Sequence, residues 1–410
     1  MFKEKILNNQ ELIKNIKIIK RDYEFYDDLL KLRKIVSFVG PRRTWKTFLM
    51  YSFVKDLIKR NIIELKQIVF VDFSLYSWME LDSDLLLQNY KEIFPDKDPF
   101  FIFDEIQDIK NFKNFVLNLY NKNYQIFLSG SNSNLLSSEL STNFRWRVFQ
   151  YNILPLTFKE VLRFKNIEEK NFYSTVEKAS INNILKNCLE FWTFPEIVLS
   201  ENDFFKIDNL KTYLDILIYK DLLERYKIDN EFALRYLIKS LTIWFTKQVN
   251  INKIYNELKS QNIKIWKTTL YEYYNYIKNI FYVFELENYF SKSWAKKCFL
   301  YNLWFNKLFW RNINLGQAFE NFIFIELKKK FEKIFFKKNW SEIDFFIEEK
   351  NINIQVCYEL DSENIDREIK PFLKNTWENI LVYFEKEQNL KILENIKVLN
   401  YLEFVKFLEK

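Results

Sequence analysis

The sequence predicts a multidomain α/β protein whose N-terminal domain contains a mostly parallel β-sheet. The chain has 410 residues, which is enough for roughly two to four domains of ordinary size. In its first part, short apolar runs alternate with stretches of helical spacing, as they do in βαβ units. Such alternation is typical of a parallel sheet that is covered by helices. The apolar runs are 34–39, 67–73, 99–103 and 124–128.

Three further regions follow the predicted sheet. The first is helical and is interpreted as a lid or linker. In the second, two short amphipathic helices precede an aromatic, strand-like run, which is the order of a winged helix. The third has the pattern of a small α/β domain. We therefore predict four segments, at 1–165, 166–235, 236–297 and 298–410.

The composition excludes several kinds of chemistry. Histidine is absent, which removes Ser-His-Asp and Cys-His catalysis and every His-ligated metal site. The cysteines Cys188, Cys298 and Cys357 have no metal-ligand spacing and are interpreted as reduced thiols, which favours a cytoplasmic location. No apolar run is long enough to predict a membrane span. The net charge of +7 is compatible with nucleic-acid contact but does not demonstrate it.

A segment after the first predicted strand matches a phosphate-binding loop at all but one of its defining positions. It fits G-x-x-x-x-G-K-[ST] except at the second glycine, where Trp45 stands. In such loops, backbone amides and a helix N-terminus cradle phosphate. We expect Lys46 to reach the β- and γ-phosphates of ATP and the Thr47 hydroxyl to ligate Mg²⁺. The predicted nucleotide-binding residues are Gly40, Pro41, Arg42, Arg43, Thr44, Trp45, Lys46 and Thr47.

Two other predicted strands end in residues that would complete this site. The run 99–103 is followed by Asp104, expected to hold Mg²⁺, and by Glu105, expected to polarise the attacking water as general base. The run 124–128 leads to Ser129 and Ser131, either of which could sense the γ-phosphate. Each motif alone is weak, but their order along the chain predicts ATP binding and hydrolysis. We also expect the strands that carry the loop and the two carboxylates to be neighbours in the sheet.

The motifs together resemble those of prokaryotic AAA-superfamily ATPases that carry a C-terminal domain of unknown function. The resemblance covers nearly the whole chain and implies an AAA-type core with a helical lid. It also matches Arg147 to an arginine near the γ-phosphate, in the same or a neighbouring subunit, which implies self-association as one possibility. The matching segments include RDY at 21–23, FDEIQDIKNF at 103–112, LSGSNSNLLSSEL at 128–140, FRWR at 144–147, LPLTFKEVL at 154–162 and GQAFENFIFIEL at 316–327.

The C-terminal segment has the layout of a restriction-endonuclease-like core. Glu320 falls on a predicted helix and Asp344 on a predicted strand, but Gln355 and Cys357 stand where such a nuclease carries Glu and Lys. Without these two groups the metal site is incomplete, so we predict a binding or scaffolding domain without nuclease activity. That Glu320 and Asp344 are ordinary solvated or capping acids remains an alternative.

The chain contains 3 glycines and 11 tryptophans, whereas globular proteins average about 7% glycine. In the family that the chain resembles, glycine stands at the positions of Trp45, Trp146 and Trp192. We hypothesise that the gene decodes UGA as glycine and that these codons are written here as tryptophan. The alternative is a drifted ATPase with true tryptophans, whose Trp45 would hinder ATP binding. Under this hypothesis, glycine stands at most or all of positions 45, 78, 146, 192, 244, 266, 294, 304, 310, 340 and 377.

Two functions follow from these observations. The first is an ATPase whose nucleotide cycle moves the lid and the C-terminal domain against a partner or DNA. The second is a non-hydrolysing DNA- or protein-interaction module with a degenerate nucleotide site. A basic helix expected at 259–267 favours DNA contact, although such segments also serve as packing elements. We expect no membrane association.

Overall fold

The computed structural model describes most of the chain, and the chain divides into two units. The first unit comprises Met1–Leu156 with Asn279–Phe281, and the second comprises Thr157–Lys278 with Tyr282–Lys410. The described residues are 2–76, 79–132, 144, 147–170, 172–290, 296–309, 314–338, 341–373, 377–388, 390 and 393–409.

A five-stranded parallel sheet forms the centre of the first unit, as the sequence predicts. The strands β1 to β5 are Ile35–Val39, Ile68–Asp72, Phe100–Asp104, Gln125–Gly130 and Val148–Asn152. The helices α1 to α5 are Phe2–Asn15, Asp28–Lys31, Lys46–Lys59, Ser83–Lys91 and Phe112–Asn121, with short 3₁₀ turns at Leu65–Gln67, Phe73–Tyr76 and Ile106–Asp108.

Both faces of this sheet are buried. Successive side chains of a strand point to opposite faces, so Ile35 and Val36 belong to two different hydrophobic clusters, as do Phe100 and Phe101. The continuous apolar runs in the sequence have this cause, because neither face is left to solvent.

The order of the strands corrects one expectation. The sheet runs β2-β3-β4-β1-β5, so β4 lies between β1, which precedes the phosphate loop, and β3, which ends at Asp104. The expectation that these two strands are neighbours is therefore wrong. The strands are parallel, however, and all their carboxyl ends lie at one edge of the sheet, where loops from non-adjacent strands can meet.

The second unit contains a mixed seven-stranded sheet, counted over the described residues, in the order β12-β11-β10-β9-β8-β6-β7. Its strands β6 to β12 are Val283–Asn288, Lys297–Leu300, Ile334–Lys338, Glu342–Ile347, Ile352–Leu360, Glu378–Lys386 and Ile396–Asn400. Strands β8, β9 and β10 form an antiparallel meander, and β11 and β12 continue the sheet in parallel with β10. The predicted boundary between residues 297 and 298 falls inside β7.

Helices make up the rest of the second unit. They are α6 to α16, at Phe158–Phe164, Thr175–Phe191, Pro195–Leu199, Asp203–Ile216, Glu231–Ile243, Ile251–Ser260, Lys267–Asn279, Phe305–Phe309, Leu315–Lys330, Ile365–Ile369 and Tyr401–Leu408, with a π-helical stretch at Leu217–Glu224. The basic helix expected at 259–267 is wrong, because these residues form the end of α11, a connection and the first residue of α12. Within the described parts of the chain, no helix is both long and apolar enough to span a bilayer.

The backbone adopts the left-handed region at residues that are not glycine. Trp192, which ends α7, has φ 73° and ψ −179°, a region that is essentially restricted to glycine. Its side chain is only 1% exposed, and its indole Nε1 has no hydrogen-bond partner among the described residues. A polar group buried in this way is unfavourable. Backbone and side chain both fit tryptophan poorly at this position.

Candidate nucleotide site

The loop between β1 and α3 begins at a glycine that no other residue could replace. A Cβ at Gly40 would lie 2.0 Å from the carbonyl oxygen of Ile153, closer than any real contact. The loop ends at Trp45, which has φ 59° and ψ 43° and directly precedes α3. This left-handed conformation costs a residue with a Cβ about 1–2 kcal/mol. The indole of Trp45 stacks on the ring of Phe48, with centroids 4.3 Å apart.

The side chain of Lys46 is buried against the loop. It is 5% exposed, and its ammonium donates to the carbonyl oxygens of Gly40 at 3.1 Å and of Pro41 at 2.9 Å. Its Nζ also lies 3.9 Å from Oε1 of Glu105. The cation is therefore held between the loop backbone and a carboxylate, with neutral carbonyls as its short contacts.

Thr47 and Asp104 meet directly at the edge of the sheet. The Thr47 hydroxyl donates to Oδ2 of Asp104 at 2.5 Å, and the Ser129 hydroxyl donates to Oδ1. Ser129 lies on β4, the intervening strand, and also accepts a hydrogen bond from the amide of Glu105 at 3.1 Å. Burial, together with the charge of Glu105, raises the pKa of Asp104 to about 6. Hydroxyl and carboxylate oxygens of this kind are ligands that Mg²⁺ accepts.

Glu105 is held in a strained conformation beside Asp104. It has φ 49° and ψ 46° and precedes the 3₁₀ turn Ile106–Asp108. Burial acts to raise its pKa, but the charges of Lys46 and Arg42 and hydrogen bonds from Gln107 and Ser131 outweigh it and lower the pKa to about 2. Glu105 is therefore ionised at neutral pH and can accept a proton.

The two candidate serines contact different carboxylates, and the candidate arginine contacts neither of them in the described structure. Ser129 contacts Asp104, whereas Ser131 contacts Glu105. Arg147 is exposed, and its guanidinium lies over the ring of Tyr120 at 5.2 Å. A contact of Arg147 with a neighbouring subunit stays a prediction. Of the tryptophans, Trp78, Trp146, Trp294, Trp310 and Trp340 lie outside the described residues.

Sequence reasoning missed a buried arginine that braces the loop. Arg21 is 3% exposed and donates to the carbonyl of Thr44 at 2.7 Å and to that of Leu154 at 3.0 Å. It thereby ties the phosphate loop to the chain that follows β5. Thr44 in turn donates from its hydroxyl to the carbonyl of Pro41 at 2.9 Å. Arg21 belongs to the motif RDY before the first strand, but the motif alone did not indicate what this arginine contacts.

A second buried lysine lies among the acids of the second unit. The ammonium of Lys297 on β7 lies 3.1 Å from Glu320, 2.7 Å from Glu342 and 3.6 Å from Asp344. The side chains of Lys297, Glu320 and Asp344 are 4%, 14% and 12% exposed. The alternative that Glu320 and Asp344 are solvated or capping acids is therefore wrong.

The residues at the incomplete nuclease positions make internal contacts. Gln355 donates to Glu368 at 3.0 Å, and its Oε1 accepts from the backbone amide of Asp344 at 3.4 Å. The thiol of Cys357 donates to the carbonyl of Glu359 at 3.0 Å. Among the residues that the structure describes, no group of three or more His, Cys, Asp and Glu side chains is placed to hold a metal ion. The absence of nuclease activity stays a prediction.

Comparison with known proteins identifies the family. A family model described as an AAA domain matches residues 32–162, which include the loop and both carboxylates. The uncharacterized protein MJ1544 of Methanocaldococcus jannaschii is 37% identical over 391 residues, covering 91% of this chain and 85% of that protein. The chain belongs to the same family as MJ1544. Its first unit carries a P-loop domain of the AAA type.

Other similar proteins add no established function to this AAA family member. An uncharacterized protein of Haemophilus influenzae is 26% identical over 391 residues, covering 90% of this chain and 94% of that protein. Among solved structures, the Walker-type ATPase PABY2304 of Pyrococcus abyssi is similar with a TM-score of 0.43 and 14% identity, over 72% of this chain and 99% of that chain. A TM-score this low does not establish a common fold.

Proposed function

We propose that the chain binds Mg²⁺–ATP through Lys46, Thr47 and Asp104 and hydrolyses it with Glu105 as general base. The contact of 2.5 Å between the Thr47 hydroxyl and the Asp104 carboxylate carries this proposal. In P-loop ATPases, these two groups share one Mg²⁺. Thr47 and Asp104 are 57 residues apart in the sequence, and β1 and β3, the strands that lead to them, are not adjacent. Their contact is therefore not a consequence of closeness along the chain or of strand pairing.

The residues of the site fit both ligands. Gly40 lets the start of the loop pack directly against the backbone of Ile153. The loop then leads into α3 at Lys46, and a helix N-terminus favours phosphate. Thr47 and Asp104 supply oxygen ligands for Mg²⁺. Thr47 and Asp104 would hold this ion, which would supply positive charge against the negative charge of the triphosphate.

The protein's own groups would act in turn. Lys46 would transfer its N–H donors from the carbonyls of Gly40 and Pro41 to phosphate oxygens. Glu105 would take a proton from the attacking water. A carboxylate with a pKa of about 2 is a weak base, but phosphate would draw the positive charges of Lys46 and Arg42 away from it. Nucleotide binding would thus raise the pKa of Glu105 towards a useful range.

The proposal includes glycine at position 45 of the natural protein, through decoding of UGA as glycine. The left-handed backbone at Trp45 and the glycine-restricted backbone at Trp192 support it. The indole of Trp192, which has no hydrogen-bond partner among the residues that the structure describes, is a further, independent argument. At the other described tryptophans, φ is not positive, so their backbone conformation neither supports nor opposes glycine at those positions. These are Trp244, Trp266, Trp304 and Trp377.

The coding sequence and the natural protein test the glycine assignment. Peptide masses across positions 45 and 192 should correspond to glycine, and a UGG codon at position 45 or 146 contradicts it. A stability comparison adds a physical test. At position 192 glycine should exceed alanine in stability by about 1–3 kcal/mol, because only alanine retains the strained Cβ. In an unstrained helix or strand the order is the reverse.

The function itself is tested with the full chain carrying glycine at all eleven positions. This protein should bind Mg²⁺–ATP and release phosphate. Lys46→Ala should abolish binding, whereas Glu105→Gln should keep binding and slow turnover by about 10²–10⁴-fold. Lys59→Ala, which changes an exposed lysine at the end of α3, is the matched control and should behave as the parent. Binding without any turnover that depends on Glu105 would contradict hydrolysis.

A second candidate function is non-hydrolysing DNA binding through the second unit. Lys259, Lys264 and Lys267 are exposed at the end of α11, in the connection that follows and at the start of α12. Two helices joined by a short connection, with cations at the start of the second, suit a DNA backbone. Binding to duplex DNA should weaken steeply with salt and be lost in Lys264→Glu with Lys267→Glu. Salt-independent binding, or none, contradicts it.

A further inference from the structure

Gln107 contacts the carboxylate that serves as the proposed base. It lies in the 3₁₀ turn Ile106–Asp108 and is 8% exposed. Its amide Nε2 donates to Oε2 of Glu105 at 2.5 Å and lies 3.4 Å from the Ser131 hydroxyl. One oxygen of Glu105 is thereby fixed. The other oxygen, Oε1, faces the ammonium of Lys46 at 3.9 Å, the side on which phosphate would bind.

The second polar atom of the same amide has no hydrogen-bond partner in the part of the chain that the structure describes. Oε1 of Gln107 is buried and accepts no hydrogen bond within the described residues. Buried acceptors are nearly always paired, and an unpaired one calls for an explanation. Because both atoms belong to one amide, this acceptor is next to the nitrogen that contacts Glu105. Glu105 and Gln107 thus each offer one further acceptor, the Oε1 atom of each side chain.

We infer that Gln107 orients both the base and the attacking water in the hydrolysis proposed above, on which this assignment rests. The water donates one O–H to Oε1 of Glu105 and the other to Oε1 of Gln107, and its oxygen lone pair faces the γ-phosphorus. The water oxygen forms a bond to phosphorus while the bond to the bridging oxygen breaks, and that electron pair leaves with ADP. The proton passes to Glu105 and then to phosphate. An amide suits this place because it donates and accepts at once.

Gln107 could also serve only to brace the turn, and kinetics distinguish the two roles. Gln107→Met keeps the length of the side chain but removes both hydrogen-bonding atoms. In the glycine-bearing full chain, the water-orienting role predicts a kcat about 100-fold lower with an unchanged KM for ATP, since misplaced reacting groups cost about this factor. A purely structural role would lower thermal stability and change kcat and KM together. Gln107→Glu, which keeps the size and an acceptor, serves if the methionine variant does not fold.

Gln67→Met is the matched control. Gln67 also lies in a 3₁₀ turn of the first unit, and its amide donates to the carbonyl of Asp98 at 3.1 Å, away from the site. Its kcat should equal that of the parent. In a Glu105→Gln background, Gln107→Met should cause no further loss, because both residues act on one water.

The outcomes separate the two levels of the argument. A parent chain without turnover that depends on Glu105 overturns the proposed function and this assignment with it. An active parent whose kcat is unchanged in Gln107→Met overturns the assignment of Gln107 alone. An additive loss in the double variant does the same.

Discussion

Each unit buries a lysine beside carboxylates, but the two lysines have different partners. Lys46 makes its short contacts with neutral loop carbonyls and lies 3.9 Å from Glu105. Lys297 lies within 3.1 Å of two carboxylates. The ammonium can exchange these neutral carbonyls for phosphate oxygens with a net gain, because phosphate adds the attraction of an opposite charge. An ammonium already surrounded by carboxylates gains nothing from a new anion. We infer that the first arrangement is poised for a ligand and that the second is structural.

The pKa values of the carboxylates also differ between the two clusters. In the first unit, the pKa of Asp104 is raised to about 6 and that of Glu105 is lowered to about 2. Neighbouring carboxylates with separated pKa values are typical of acid–base sites. In the second unit, burial and the charge of Glu320 raise the pKa of Asp344 to about 8, and burial raises that of Glu320 despite Lys297.

Removal of Lys297 should have the largest effect on stability. Lys297→Met leaves buried carboxylates without their cation and should lower the free energy of unfolding by about 3–5 kcal/mol, measured by urea denaturation. Lys296→Met, at the residue immediately before β7, is the control, since Lys296 is 33% exposed and pairs with Glu285 and Glu287. Its loss should stay below about 1 kcal/mol. Equal losses in both variants would contradict a structural role for Lys297.

Nucleotide should stabilise the first unit by a smaller amount. At a free Mg²⁺–ATP concentration of 100 times Kd, the glycine-bearing chain should gain about 2.7 kcal/mol in unfolding free energy, because ligand binds only the folded state. Lys46→Ala should remove this gain. Excess EDTA should reduce it, since Thr47 and Asp104 would lose the ion that they hold. A gain that survives Lys46→Ala would show that nucleotide binds elsewhere.

Local patterns made the loop and its carboxylates predictable. The phosphate loop at 40–47 and the apolar run that leads into Asp104 follow from apolar periodicity and motif spacing within short stretches of chain. The order of strands was not predictable in this way. It depends on pairing between distant segments, so β4 between β1 and β3 was missed. Thr47 nevertheless reaches Asp104 across the end of β4, and Ser129 on β4 contacts the same carboxylate.

The residues that sequence reasoning missed lack a local signal. Lys297 meets Glu342 and Asp344 only because the sheet brings separate parts of the chain together. A lysine at the start of an apolar strand looks like an ordinary flanking charge. Gln107 follows Glu105 by two residues and could have been noticed as a second polar group beyond the carboxylate. Its role depends on the turn that folds its amide back onto Glu105.

The pH dependence of the free energy of unfolding should reveal the raised pKa of Asp344 in the second unit. The folded-state pKa of Asp344 is about 8, above its ordinary value of 3.8. The folded state therefore binds the proton more tightly, so this group makes stability fall as pH rises from about 4 to about 8. The fall is at most about 1.4 kcal/mol per pH unit. In Asp344→Asn, the new amide still faces Lys297 and Glu320 but does not titrate. The variant should therefore show a smaller fall of unfolding free energy with pH, measured by denaturation at a series of pH values. An unchanged slope would contradict the assignment.

Lys46 should matter least to stability when nucleotide is absent. Its short hydrogen bonds go to carbonyls of its own loop, and a hydrogen bond of this kind contributes a net of about 1 kcal/mol. Lys46→Met removes two such bonds and should therefore cost about 2 kcal/mol in unfolding free energy, which is below the cost of Lys297→Met, although the two side chains are similarly buried. A cost as large as that of Lys297→Met would mean that Glu105 depends on Lys46 for folding. Lys46 would then be structural, and the contrast between the two lysines would disappear.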